Sequence, residues 1–98
     1  MIFALNLVPP RPDFAQTMTS EEQAVMGEHV GYWQGLLADG VAVVFGPVAD
    51  PAGGYGLAVV DVDGPEQVEK IMAGDPAVRH GLKEVYFPMP GAFVRSAA

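Results

Sequence analysis

Three short runs of this chain, Ile2–Val8, Val41–Phe45 and Tyr55–Val62, are apolar on both of the alternating sets of positions that a strand presents. Phe3, Leu5 and Leu7 point one way, and Ile2, Ala4 and Val8 the other. Leu57 and Val59 oppose Ala58, Val60 and Val62, while Val41, Val43 and Phe45 oppose Ala42 and Val44. A sheet with one wet face alternates apolar and polar residues. A sheet built from these strands must therefore be covered on both faces.

Two helices are legible between the strands. Thr19-Ser20-Glu21-Glu22 places an N-cap threonine three residues before a glutamate, the pattern of a capping box, and puts two acids where the helix dipole favours them. That helix runs through Ala38 and stops at Asp39-Gly40, with the glycine placed to turn left-handed. A second helix, Pro65–Ala73, follows a cap at Asp63 or Gly64, carries proline at its first position and ends at Gly74-Asp75-Pro76. Turn signals fill Arg11–Thr17, and a loop covers Asp50–Gly54. A last strand, Leu82–Met89, is broken by Pro88 and Pro90, and residues 92–98 read as a frayed tail. The order βαββαβ over one domain, residues 1–98, predicts an α+β, ferredoxin-like antiparallel sheet with its first and third strands central and both helices on one face. The helices can cover only that face. The other calls for a partner, and the simplest is a second copy related by a two-fold axis, making a homodimer.

Composition narrows the function classes. Half of the residues are hydrophobic and 17% are charged, which excludes a disordered chain. Five basic residues against twelve acidic ones, net −7, exclude the positive surface that a nucleic acid or an anionic membrane requires. There is no cysteine, hence no disulfide framework and no thiolate metal site. The first residues lack a basic n-region. No apolar stretch approaches the length of a membrane-spanning helix, roughly 18 residues. A soluble cytoplasmic protein is expected.

The chain resembles the YCII-related (YciI-like) domain family. The resemblance is carried by Arg11-Pro12-Asp13-Phe14, Met18-Thr19-Ser20-Glu21-Glu22, Met26, His29, Tyr32-Trp33, Leu36-Leu37, Asp39-Gly40, Val44-Phe45-Gly46-Pro47-Val48, Asp50-Pro51-Ala52-Gly53, Gly74-Asp75-Pro76-Ala77 and Gly81-Leu82. No one of these is specific; their order and spacing are. The resemblance implies a dimeric α+β barrel, in which two ferredoxin-like sheets pack together, and a His–Asp pair in a pocket.

His29 is the residue most able to carry chemistry. It falls in the stripe of the first helix marked by Val25, Met26, Trp33, Leu36 and Leu37, so it faces the sheet. Two readings compete: a histidine satisfied by backbone or water, or a general acid or base, since histidine titrates near neutrality. The second needs an orienting carboxylate. Asp39 is ten residues further along the same helix, about 15 Å away, and is excluded. Asp75 follows a helix about 14 Å long that lies beside the first, so it reaches a similar level; its competing reading is a turn residue before proline. Arg11 is either an anion-binding group or a surface salt bridge. Phe14, Tyr32 and Trp33 suit the wall of an apolar pocket or plain packing. His80 belongs to a turn before the last strand. A metal site from His29, His80 and Asp75 lacks ligand spacing, and no cofactor is called for.

These residues point to a small-molecule enzyme in which His29 moves a proton and Asp75 fixes its tautomer, in an isomerisation or an elimination. The rival class is a non-catalytic, homodimeric small-ligand-binding module.

Overall fold

The computed structural model describes residues 1–96. Four strands, β1 (Ile2–Val8), β2 (Ala42–Val48), β3 (Tyr55–Asp61) and β4 (Lys83–Pro88), form one sheet in the order β2-β3-β1-β4, every neighbouring pair antiparallel. The two long helices are α2 (Ser20–Ala38) and α3 (Pro65–Gly74). This is the ferredoxin-like α+β arrangement, with β1 and β3 central and the helices on one face.

The helix α2 begins as its sequence requires. The Thr19 hydroxyl accepts from the Glu22 amide at 3.1 Å, and the Glu22 carboxylate accepts from the Thr19 amide at 2.9 Å, the two halves of a capping box. It ends at Asp39. The next residue, Gly40, has φ 76 and so lies in the left-handed region that glycine enters without a Cβ clash.

Two connections are more ordered than turn signals suggest. The segment before α2 contains a single helical turn, α1 (Phe14–Thr17), and the segment after α3 contains α4 (Pro76–His80), with Asp75 as its N-cap and proline at its start. The second strand also extends past the expected end at Phe45, through Gly46-Pro47 to Val48. β2 lies at the sheet edge, where a missing proline N–H costs no ladder bond. Residues 97 and 98, the end of the expected frayed tail, lie outside the described residues.

The register corrects one facing. β2 carries an irregularity between Ala42 and Val44, so Ala42 pairs with Val60 and Phe45 with Ala58. Ala42 and Phe45 therefore share the helix-covered face. Simple alternation separates them; the extra residue of a bulge shifts everything after it to the other parity. The covered face holds Phe3, Leu5, Ala58 and Val60, all buried beneath Trp33, Val68 and Ile71. A second cluster, Leu7, Phe14, Ala77 and Leu82, joins α1 and α4 to the end of β1. The opposite face carries Ala4, Leu57, Val59, Val85, Val44 and Phe87. Val44 and Phe87 are 51% and 60% exposed in the single chain. Among the described residues, no helix is long and apolar enough to cross a membrane.

Candidate active site

His29 projects from the middle of α2 toward the junction of α3 and α4. There its Nδ1 lies 2.8 Å from Asp75 Oδ1 and 3.0 Å from Oδ2. Asp75 is wholly buried and His29 is 12% exposed. The carboxylate also accepts from the Trp33 indole N–H at 2.8 Å and, at its other oxygen, from the Ala77 amide at 2.9 Å. Burial pushes the Asp75 carboxyl up, but the hydrogen bonds from His29, Trp33 and Ala77 outweigh it and hold the group below its ordinary value. An ionised Asp75 only accepts, so the Nδ1 that faces it carries the proton. In the neutral ring the other nitrogen, Nε2, then bears the lone pair, and no partner engages it among the described residues.

The local sequence builds this meeting. Gly74 ends α3 hard against Tyr32; a Cβ there would come within 2.7 Å of the Tyr32 hydroxyl. That hydroxyl donates to the Ile71 carbonyl at 2.8 Å and ties α2 to the last turn of α3. Pro76 starts α4 immediately afterwards, and Asp75 caps it. The aspartate is thus both a cap, as its turn reading has it, and the partner of His29.

His29 opens into a cavity of about 670 Å³ bounded mainly by apolar side chains, among them Phe14, Met26, Trp33 and Phe45. Its ionisable lining groups are His29, Asp50, Tyr55 and Glu84. Asp50 sits in an exposed loop and accepts from the Ala52 amide.

The sequence does not single out Glu84. It occupies β4 opposite Leu7, on the helix-covered face, and its Oε1 is buried without a hydrogen-bond partner among the described residues. Burial, reinforced by the charge of Asp75 and opposed by that of His29, pushes its carboxyl up to about 7. A signal exists: Glu84 shares its strand parity with Leu82 and Tyr86. The other parity, Val85 and Phe87, is just as apolar, so the pattern does not say which side faces the core.

The remaining expected site residues divide. Phe14 and Trp33 line the cavity. Tyr32 is outside the lining, its hydroxyl engaged by Ile71. Arg11 is also outside it, engaged by both Glu22 oxygens at 2.9 and 2.7 Å and by Thr17. Bonds from Arg11 and the Thr19 amide hold the Glu22 carboxyl down to about 2. The geometry favours the salt-bridge reading of Arg11. His80 is exposed at the end of α4, and His29, His80 and Asp75 do not gather as a metal site among the described residues.

The family model of the YCII-related domain matches residues 1–89. This chain belongs to the YCII-related family. Among solved structures, the chain is similar to the 5-chloro-2-hydroxyhydroquinone dehydrochlorinase TftG of Burkholderia phenoliruptrix, in its complex with 2,5-dihydroxybenzoquinone. The TM-score is 0.68 over 94% of this chain and 96% of that one, at 18% sequence identity. At that identity the likeness establishes a shared fold. No curated protein matches the sequence.

Proposed function

We propose that this YCII-related protein is an acid–base enzyme for a flat, oxygenated small molecule, with His29 as the proton-transferring group. The observation that carries this reading is the Asp75–His29 bond at the wall of an apolar cavity. Asp75 orients the ring and stabilises the imidazolium that forms when Nε2 takes a proton. A cavity of about 670 Å³ falls within the range of small-molecule sites. Its apolar walls suit a ring, while the ionisable lining groups suit oxygen substituents. The ligand of the similar dehydrochlorinase, a dihydroxylated quinone, is of this kind. Isomerisation and elimination both begin with such a proton abstraction.

A second copy covering the exposed apolar sheet face completes the proposal, making a homodimer with one cavity in each subunit. Val44 and Phe87 supply the apolar contact.

The experiment is to titrate 2,5-dihydroxybenzoquinone into the wild type and into His29→Ala, and to assay both with chlorinated and unchlorinated hydroxyhydroquinones. Turnover by the wild type, lost by about 10²-fold or more in His29→Ala while the probe still binds, supports the enzyme. Tight binding without turnover by either protein supports the ligand-binding module instead.

A further inference from the structure

Glu84 is a half-buried acid with no role in the pair formed by His29 and Asp75. It points from β4 into the helix-covered side of the sheet and lines the same cavity as His29. Its Oε1 is closed to solvent and has no hydrogen-bond partner among the described residues. Among the described residues no salt bridge reaches it. Lys83, its neighbour in the chain, lies on the opposite face of the sheet. The ionisable groups around it are Asp75 from the α3–α4 junction and His29 and Tyr32 from α2. A carboxylate held there would leave one oxygen unsolvated beside a second negative charge, and both effects favour the neutral acid.

We propose that Glu84 is the second proton carrier of the cavity, a neutral carboxylic acid that donates its O–H to a carbonyl or oxyanion oxygen of the ligand. The proposal rests on the reading of His29 as the base and names the ligand class that reading leaves open. The ligand carries a C–H or O–H proton for His29 and an oxygen for Glu84, conjugated through one flat system, as in a hydroxyquinone or an enolisable ring ketone. In the step, His29 Nε2 takes the ligand's proton. The electron pair of the broken bond moves into the conjugated system, and the carbonyl π pair moves onto the oxygen beside Glu84. The Glu84 O–H bond breaks, its proton goes to that oxygen, and its electron pair stays on the carboxylate. The ligand is tautomerised with no net change in electrons. Imidazolium and carboxylate are left in the cavity, and solvent returns the proton from one to the other. The direction of charge supports the assignment, since burial and Asp75 keep the Glu84 proton bound into the neutral range.

The test has two arms. In the first, glutamate carboxyl carbons labelled with ¹³C are followed by NMR across pH, with Glu84→Gln identifying the signal. Titration of Glu84 near neutrality, moved to lower pH in Asp75→Asn, is expected; a Glu84 already ionised at pH 5 overturns the proposal. In the second, 2,5-dihydroxybenzoquinone is titrated into the wild type, Glu84→Gln, Glu84→Ala and His29→Ala, with the probe's own ionisation recorded by absorbance. Glu84→Gln, which keeps a neutral donor, should bind within about threefold of the wild type, and Glu84→Ala about tenfold more weakly, the effect of one lost hydrogen bond. Wild-type affinity should fall as pH rises through 7, and that of Glu84→Gln should not. Equal affinity of Glu84→Ala and the wild type, or the same pH dependence in Glu84→Gln, overturns the role of Glu84. A wild type that does not take up the probe overturns the ligand class. If turnover of a hydroxyhydroquinone survives in His29→Ala while the Glu84 arms hold, the reading of His29 fails and the Glu84 assignment stands.

Discussion

Asp75 receives His29 Nδ1 at 2.8 Å from a residue 46 positions earlier, and the Trp33 indole at 2.8 Å from one 42 positions earlier. Two donors one helical turn apart on α2 thus converge on one buried carboxylate between two other helices. The same carboxylate caps α4. Its bond to His29 and its capping of α4 are inseparable, and that sets what its substitution does.

Asp75→Asn is expected to lower stability as well as activity. The amide has one acceptor oxygen and turns an NH₂ toward donors that both oxygens now satisfy. Stranding one buried donor and removing the charge together cost about 3 kcal/mol. The pH dependence has a definite sign. The folded-state value of Asp75 is depressed, so its stabilisation is present above the unfolded carboxyl's ordinary value and is lost as pH falls below it. Urea unfolding at pH 7 and pH 3 should show the wild type losing more stability on acidification than Asp75→Asn does.

Glu84 carries the opposite sign. Its folded value, about 7, lies above the unfolded 4.5. The folded state therefore holds the proton longer, and stability falls as pH rises from about 4.5 to about 7, then levels. Glu84→Gln removes that loss. It should be the more stable protein at pH 8, by at most about 3 kcal/mol, and lose its advantage near pH 4. Paired urea melts at the two pH values measure it.

Arg11→Ala should leave binding of 2,5-dihydroxybenzoquinone unchanged, because Arg11 lies outside the cavity lining and its guanidinium is committed to Glu22 and Thr17. Its effect belongs at acid pH. The depressed Glu22 carboxyl, about 2, contributes stability that is present above 4.5 and lost as pH falls toward 2. Thermal melts should show a lower Tm for Arg11→Ala at pH 5, with the gap to the wild type closing toward pH 2.

Phe87→Glu places a charge in the exposed apolar sheet face, away from the cavity. Sedimentation equilibrium should find the wild type at twice the 10.3 kDa of one chain. The variant should dissociate at least roughly tenfold more readily. A wild type that is monomeric at micromolar concentration removes the homodimer from the account.

The legible parts of this molecule are those where one physical requirement has a single solution. The α2 start is visible because Thr19 and Glu22 satisfy each other's backbone. Asp75, and not Asp39, stands out because helical rise alone puts Asp39 out of reach of His29. The β2 register is not visible: Val41 to Val44 are all valine or alanine, so a bulge changes no polar position. Trp33 reads as wall or packing, and nothing in the sequence discloses that its N–H shares Asp75 with His29. Glu84 escapes notice because a single acid in Glu84-Val85-Tyr86-Phe87 has apolar neighbours on both parities, and only the pairing with Leu7 places it inward.

Asp75 holds the neutral His29 ring with its proton on Nδ1 and the lone pair on Nε2. The most direct measurement is ¹⁵N NMR of the imidazole at pH 8, where two-bond couplings to the ring protons separate the tautomers. His29 should show protonated Nδ1 and unprotonated Nε2 in the wild type, passing to a mixture in Asp75→Asn, with His80 unaffected. A His29 protonated on Nε2 in the wild type, or a tautomer that does not respond to loss of the Asp75 charge, contradicts that assignment.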